Sequence, residues 1–138
     1  MTAQEFASFV GSMSDAQIQS TLGGEHRSAV LDWLFGGVPE HFRPERADGG
    51  SARIHFRITG GAQPDPTYAI VVSDGQCTSE KDPTAEPGAS LMLGLTEFLR
   101  LITGTANPMT MVMFGKLKVR GELPQVLAFQ KWFDMPRA

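Results

Sequence analysis

Residues 96–121 read Thr96-Glu97-Phe98-Leu99-Arg100-Leu101-Ile102-Thr103-Gly104-Thr105-Ala106-Asn107-Pro108-Met109-Thr110-Met111-Val112-Met113-Phe114-Gly115-Lys116-Leu117-Lys118-Val119-Arg120-Gly121. The stretch holds two helices and a strand, each with its own punctuation. Thr96 can cap a helix bearing Phe98, Leu99, Leu101 and Ile102, with Gly104 as its stop. Asn107-Pro108 starts a second helix, with Asn at the cap and Pro at the first helical position, where its missing N–H costs nothing. That helix carries Met109, Met111, Val112, Met113 and Phe114, and Gly115 ends it. Met109, Val112 and Met113 share a face, while Met111 and Phe114 sit elsewhere around it. A helix apolar nearly all round is expected to be covered on all sides, threading the core or lining a cavity. Then Lys116, Lys118 and Arg120 alternate with Leu117 and Val119, the period of a strand with one wet face.

Upstream, Leu91, Leu93 and Leu95 alternate with Ser90, Met92 and Gly94 as a further strand. Lys81–Gly88, with Pro83 and Pro87, is too broken to form an element and reads as a crossover loop. Ala52, Ile54, Phe56 and Ile58 alternate with Arg53, His55 and Arg57, giving one apolar and one cationic strand face. Tyr68–Val72 and Gln76–Glu80 pair around Asp74-Gly75, a dipeptide that tolerates the positive φ of a primed turn. Towards the N-terminus, Phe6, Phe9, Val10 and Met13 make one helix face, and Ser14 caps a second helix through Leu22. A third helix carries Val30, Leu31, Leu34 and Phe35 and stops at Gly36-Gly37, with Pro39 and Phe42 in a short turn or helix beyond. Downstream, Gly121–Pro124 turns into a last helix bearing Val126, Leu127, Phe129, Trp132 and Phe133. The order implies one α+β domain around a single five-stranded, mixed but mainly antiparallel sheet.

The 138 residues are 41% hydrophobic with a net charge of −3. Residues 89–133 hold 24 of the 57 hydrophobic side chains, and four of seven methionines fall between Met92 and Met113. No apolar run approaches the ~18 residues of a membrane-spanning helix. The acidic balance argues against nucleic acid as the main partner. One cysteine, Cys77, makes no internal disulfide. Met1–Val10 lacks a basic segment followed by a long apolar run, so a cytoplasmic location is expected.

Chemistry-bearing patterns are sparse. His26, His41 and His55 are scattered without metal-ligand spacing, and no nucleophile elbow or phosphate-binding glycine run occurs. No catalytic residue, metal or cofactor is expected. Asp32 and Glu40 read as solvated surface groups. Lys116, Lys118 and Arg120 with Arg53, His55 and Arg57 make either an ordinary wet sheet face or one attracted to anionic membrane or a ligand carboxylate.

Leu101 to Pro108 and Met113 to Glu122 together resemble the signature of the sterol carrier protein type 2 family: a Leu-rich helix, Gly, Asn-Pro, a short helix, Gly-Lys-Leu-Lys and Gly-Asp, with Glu122 here in place of the Asp. Ala52–Ile58, Tyr68-Ala69-Ile70 and Asp74-Gly75 look like its first hairpins, so the resemblance covers residues 30–133, with 1–29 a helical extension. It implies a sheet covered by helices, with a hydrophobic tunnel between them that takes a fatty acid, acyl-CoA, sterol or other lipid without covalent chemistry. The helices at 96–104 and 107–115 then wall the tunnel and the last helix covers it. Facing and apolarity name the lining: Phe56, Ile70, Val72 and Leu93 from the strands, and Phe98 and Leu101 from the first of these helices. The second contributes Met109, Val112, Met113 and Phe114, and the last Leu127 and Trp132. Two other readings stay open. One is an enzyme or accessory factor acting on a lipophilic metabolite in the cavity, with His55 or Glu97 as acid or base. The other is an interaction module whose N-terminal apolar face makes a homodimer.

Overall fold

The computed structural model describes residues 3–22, 27–60, 66–103, 107–121 and 123–133. Five strands form one sheet: β1 (Ala52–Thr59), β2 (Thr67–Ser73), β3 (Gln76–Lys81), β4 (Ala89–Gly94) and β5 (Leu117–Gly121). Their spatial order is β3-β2-β1-β4-β5. All neighbours are antiparallel except β1 and β4, which run parallel. That pair explains residues 82–88: a parallel neighbour needs a connection that crosses the sheet. The β2–β3 hairpin closes through Asp74 (φ 53°) and Gly75 (φ 72°), the left-handed pair that the dipeptide predicts.

The helices are α1 (Ala3–Gly11), α2 (Asp15–Leu22), α3 (Arg27–Gly37), α4 (Pro44–Ala47), α5 (Leu95–Ile102), α6 (Pro108–Met113) and α7 (Leu123–Gln130), with a 3-10 turn at Val38–His41. Ser14 caps α2 reciprocally: the Gln17 N–H donates to its Oγ at 3.2 Å, and its own N–H donates to Gln17 Oε1 at 2.8 Å. Asn107 Oδ1 accepts from the N–H groups of Met109 and Thr110 at the start of α6.

Two boundaries differ from the sequence reading, and a third lies outside the described residues. Helix α5 begins at Leu95, so Leu95 is helical and Gly94, not Thr96, stands at the cap. A Cβ at position 94 would lie 2.6 Å from Glu97 Oε2, so the side chain of the first turn folds back over the glycine. Helix α7 ends at Gln130, leaving Trp132 and Phe133 beyond it. Phe133 instead forms an antiparallel bridge with Phe42, and their rings lie 5.5 Å apart. Gly104, the expected stop of α5, lies outside the described residues; the helix closes at Thr103, whose hydroxyl donates to Leu99 O at 2.7 Å.

Register places Ile54, Phe56 and Ile58 on one sheet face with Ile70, Tyr68, Leu91, Leu93 and Leu117. All eight are buried. Helices α3, α5 and α7 cover this face, and Phe35 of α3 stacks on both Tyr68 (4.2 Å) and Phe98 (4.8 Å). Burying each such side chain contributes about 1.5–3 kcal/mol. Helices α1 and α2 lie outside α5. Arg100 fastens them, donating to Val10 O, Met13 O and Asp15 Oδ1.

Candidate functional site

The covered face is the apolar surface on which a site can be built. Of the strand residues expected to line it, Phe56, Ile70, Val72 and Leu93 all stand there, between 1% and 7% exposed. Phe98 and Leu101 of α5 are buried above them. Phe56 meets Phe98 and Phe129 at ring distances of 6.0 and 6.5 Å, which joins β1, α5 and α7. Phe35, Tyr68, Met111 and Phe129 belong to the same cluster and were not among the lining residues named from the sequence. Leu31 and Phe35, one turn apart in α3, gave the only hint for Phe35.

Helix α6 departs from expectation. It is not covered on all sides. Met111 is buried and Val112 half-buried, while Met109, Met113 and Phe114 are 43%, 80% and 74% exposed. A helix of six residues makes under two turns, so docking beside β5 turns only one narrow stripe inward. Phe114 is the C-cap, and Lys116 N–H donates to Met111 O as the chain swings into β5. Leu127 lies on α7, but its side chain lies outside the described residues. Trp132 is half-buried at the opposite end of the sheet, where its ring abuts Gly50.

The other sheet face is polar. Register sets Arg120 two strands from His55 across Ser90, and Lys118 two strands from Arg57 across Met92, so three cations and the His55 ring share a face with Arg53. Arg53 is tied to Glu80 at 3.0 Å. His55 is unexpectedly buried (8% exposed), and its Nε2 has no partner. Burial, then Arg53, pushes its pKa down, against a smaller pull from Glu80 and Glu86. Lys116 precedes β5 and lines, with Lys118, Glu97, Met92 and Gly94, an open groove of about 620 Å³ at the end of the sheet. His55 therefore faces away from the apolar cluster, and Glu97 folds back over Gly94.

At the β2–β3 edge of the covered face, the Tyr68 hydroxyl donates to Asp32 Oδ1 at 2.6 Å, and Lys81 Nζ lies 3.0 Å from the same oxygen. The Tyr68 bond, then Lys81, holds the Asp32 pKa below its usual value. Burial, then the Asp32 bond, raises that of Tyr68. Cys77 is half-buried on the same face, its thiol pushed up to about 11 by burial. Among the described residues no cluster of three or more His, Cys, Asp or Glu is placed to hold a metal ion, and no helix is long and apolar enough to cross a membrane.

Solved structures share this architecture. A sterol carrier protein 2 from Yarrowia lipolytica, in its apo form, is 23% identical over 81% of this chain and 92% of its own, with a TM-score of 0.60. The sterol carrier protein domain 2 of Helicoverpa armigera is 15% identical over 72% and 80%, with a TM-score of 0.60. The stereoselective inverting sec-alkylsulfatase Pisa1 from Pseudomonas sp. matches 78% of this chain at 14% identity and a TM-score of 0.68. This chain spans only 17% of that enzyme's length. No curated protein sequence matches the chain. The model of the SCP-2 sterol transfer family matches residues 38–134, which include the covered sheet, α5, α6 and α7. With the Gly-Lys-Leu-Lys strand and its Asn-Pro helix inside that match, the chain belongs to the SCP-2 sterol transfer family.

Proposed function

We propose that the chain binds an apolar small molecule of the lipid class in a tunnel between the covered sheet face and its helices, and passes it on without covalent chemistry. Family membership supports lipid binding in general. The observation that carries the reading is the incompletely covered apolar corner of α6 and β5. Met109, Met113 and Phe114 are exposed there, and Val112 and Val119 are only half-buried; the other large apolar side chains exposed among the described residues, Phe9 and Trp33, lie on α1 and α3 and are each about half as exposed as Met113 or a little more. Contiguous exposed apolar surface of this kind marks ligand or membrane contact. The stacked rings of Tyr68, Phe35 and Phe98 fill the half of the face under α3, so the lipid lies towards α6, α7 and β5. Lys116 and Lys118 follow the exposed corner directly, which suits transient contact with an anionic membrane surface as the lipid enters or leaves.

Titration of the lipid-stripped chain with a fluorescent fatty acid is expected to saturate near one equivalent. Replacing Val112 or Leu101 with a charged residue should abolish the signal. A linear, unsaturable response would contradict the proposal. The alkylsulfatase match favours a second reading, in which such a domain serves enzymatic chemistry on a lipophilic substrate. Product formation from a bound lipid would separate it from simple carriage.

A further inference from the structure

Helix α3 turns one stripe inward: Arg27, Leu31 and Phe35, at 7%, 0% and 2% exposure. The first position of this stripe carries a charge. Arg27 Nη2 donates to Ile58 O and Thr59 O, both at 2.9 Å, and its Nε is buried with no partner. Among the described residues no carboxylate pairs with it, whereas Arg53, Lys81 and Arg100 each meet one. Two carbonyl dipoles do not neutralise a guanidinium, and a buried charge without a counter-ion is costly. Its place in the first turn of α3 makes the imbalance worse, because the helix dipole is itself positive there. A buried cation at the positive end of a helix is an arrangement that an anion completes.

The position suits a headgroup. Register pairing of β1 with β2 ends at Arg57 and Thr67, and β1 continues to Thr59, so the guanidinium lies at the corner of the covered face where β2 has stopped. From that corner the register runs Ile58, Leu93, Leu117, so the guanidinium stands at the end of the sheet where α6 leads into β5, the side to which the lipid is assigned above. Charge at the rim and apolar surface inside is the order of an amphipathic anion. We infer that Arg27 anchors the anionic headgroup, a carboxylate or phosphate, of the lipid this chain carries. This rests on the lipid-binding reading above. It assigns a residue that lies before the family-matched region, which begins at residue 38.

The test is competition against a bound fluorescent fatty acid by decanoate, decanol and acetate, using the full-length chain. The wild type should bind decanoate about tenfold or more tighter than decanol, in line with a charged hydrogen bond in a dry site. Arg27→Gln keeps a donor for the two carbonyls and removes the charge, so the ratio should fall to about one while decanol binding persists. Arg27→Lys should retain most of the preference. Acetate should not compete in the decanoate range. Equal affinities of the wild type for decanoate and decanol would overturn the assignment and leave lipid binding intact; this arm needs no variant to fold. An unchanged ratio in Arg27→Gln would also overturn it. So would acetate competing as well as decanoate, which would mark a site for free anions. Failure of both decanoate and decanol to bind would bring down the lipid-binding reading and this inference together.

Discussion

Asp32 shows how far a single residue's role lies from its local sequence. In the sequence it is a helical acid with nothing beside it to pair with, and it reads as surface. In the fold it receives the Tyr68 hydroxyl and lies against Lys81, so helix α3 meets strands β2 and β3 there. Its folded pKa is lowered, so the stabilisation is present above the ordinary carboxylate value of about 4 and is lost as pH falls through the folded value. Asp32→Asn should therefore be less stable than wild type at pH 7, and the gap should close in acid. Chemical denaturation at pH 7 and pH 3 reads both. His55 follows the same direction by another cause. Its pKa is lowered mainly by burial, with Arg53 adding to the effect, so folding prefers the neutral ring. The stability it lends is complete above about 6.5 and falls as pH drops towards the folded value. Compared with His55→Gln, the wild type should lose stability faster between pH 7.5 and pH 5.5. The strand alternation put His55 on the wet face correctly. Its burial was not legible, because β1 lies inside the sheet, between β2 and β4, and that placement depends on distant segments.

Elements were legible where their signals are local. The Asn107-Pro108 start, the Ser14 cap and the Asp74-Gly75 turn each act within four residues, and each stands where the sequence placed it. Asn107→Ala should cost about 1 kcal/mol in urea unfolding, since two N–H groups of α6 lose their acceptor. The inward side of α6 was not legible. Hydrophobicity fell on nearly every position, so the pattern held no contrast to say that Met111 turns in and Met113 turns out. Gly121 is a junction of the same kind. It sits at φ 90°, and a Cβ there would lie 2.5 Å from Gly88 O on the crossover loop. Gly121→Ala should therefore destabilise by about 2–4 kcal/mol, combining left-handed strain with a backbone clash. Wild-type stability in that variant would show that the β4–β5 end of the sheet yields more easily than the geometry implies.

At the scale of the whole molecule, the family match and the folding unit differ. The match begins at residue 38, but Phe35 of α3 stacks between Tyr68 and Phe98 in the middle of the core, and α1 and α2 lie on α5. A fragment starting at Val38 would leave Tyr68, Phe98 and Phe56 uncovered. It should lose near-ultraviolet circular dichroism and cooperative melting, as Phe35→Ala alone should cost about 3–5 kcal/mol. The α+β class and the five strands could be read from periodicity, and the lipid-binding expectation from a signature of glycines and lysines. The parallel β1–β4 pair and the ring stack could not, since both depend on which distant segments meet. The central claim, that this apolar face serves a lipid, is tested most directly by native mass spectrometry of the freshly purified chain. The account predicts a population heavier than the protein by the mass of one lipid, released by organic extraction. Only the bare protein mass, with no adduct formed on adding excess fatty acid, would contradict it.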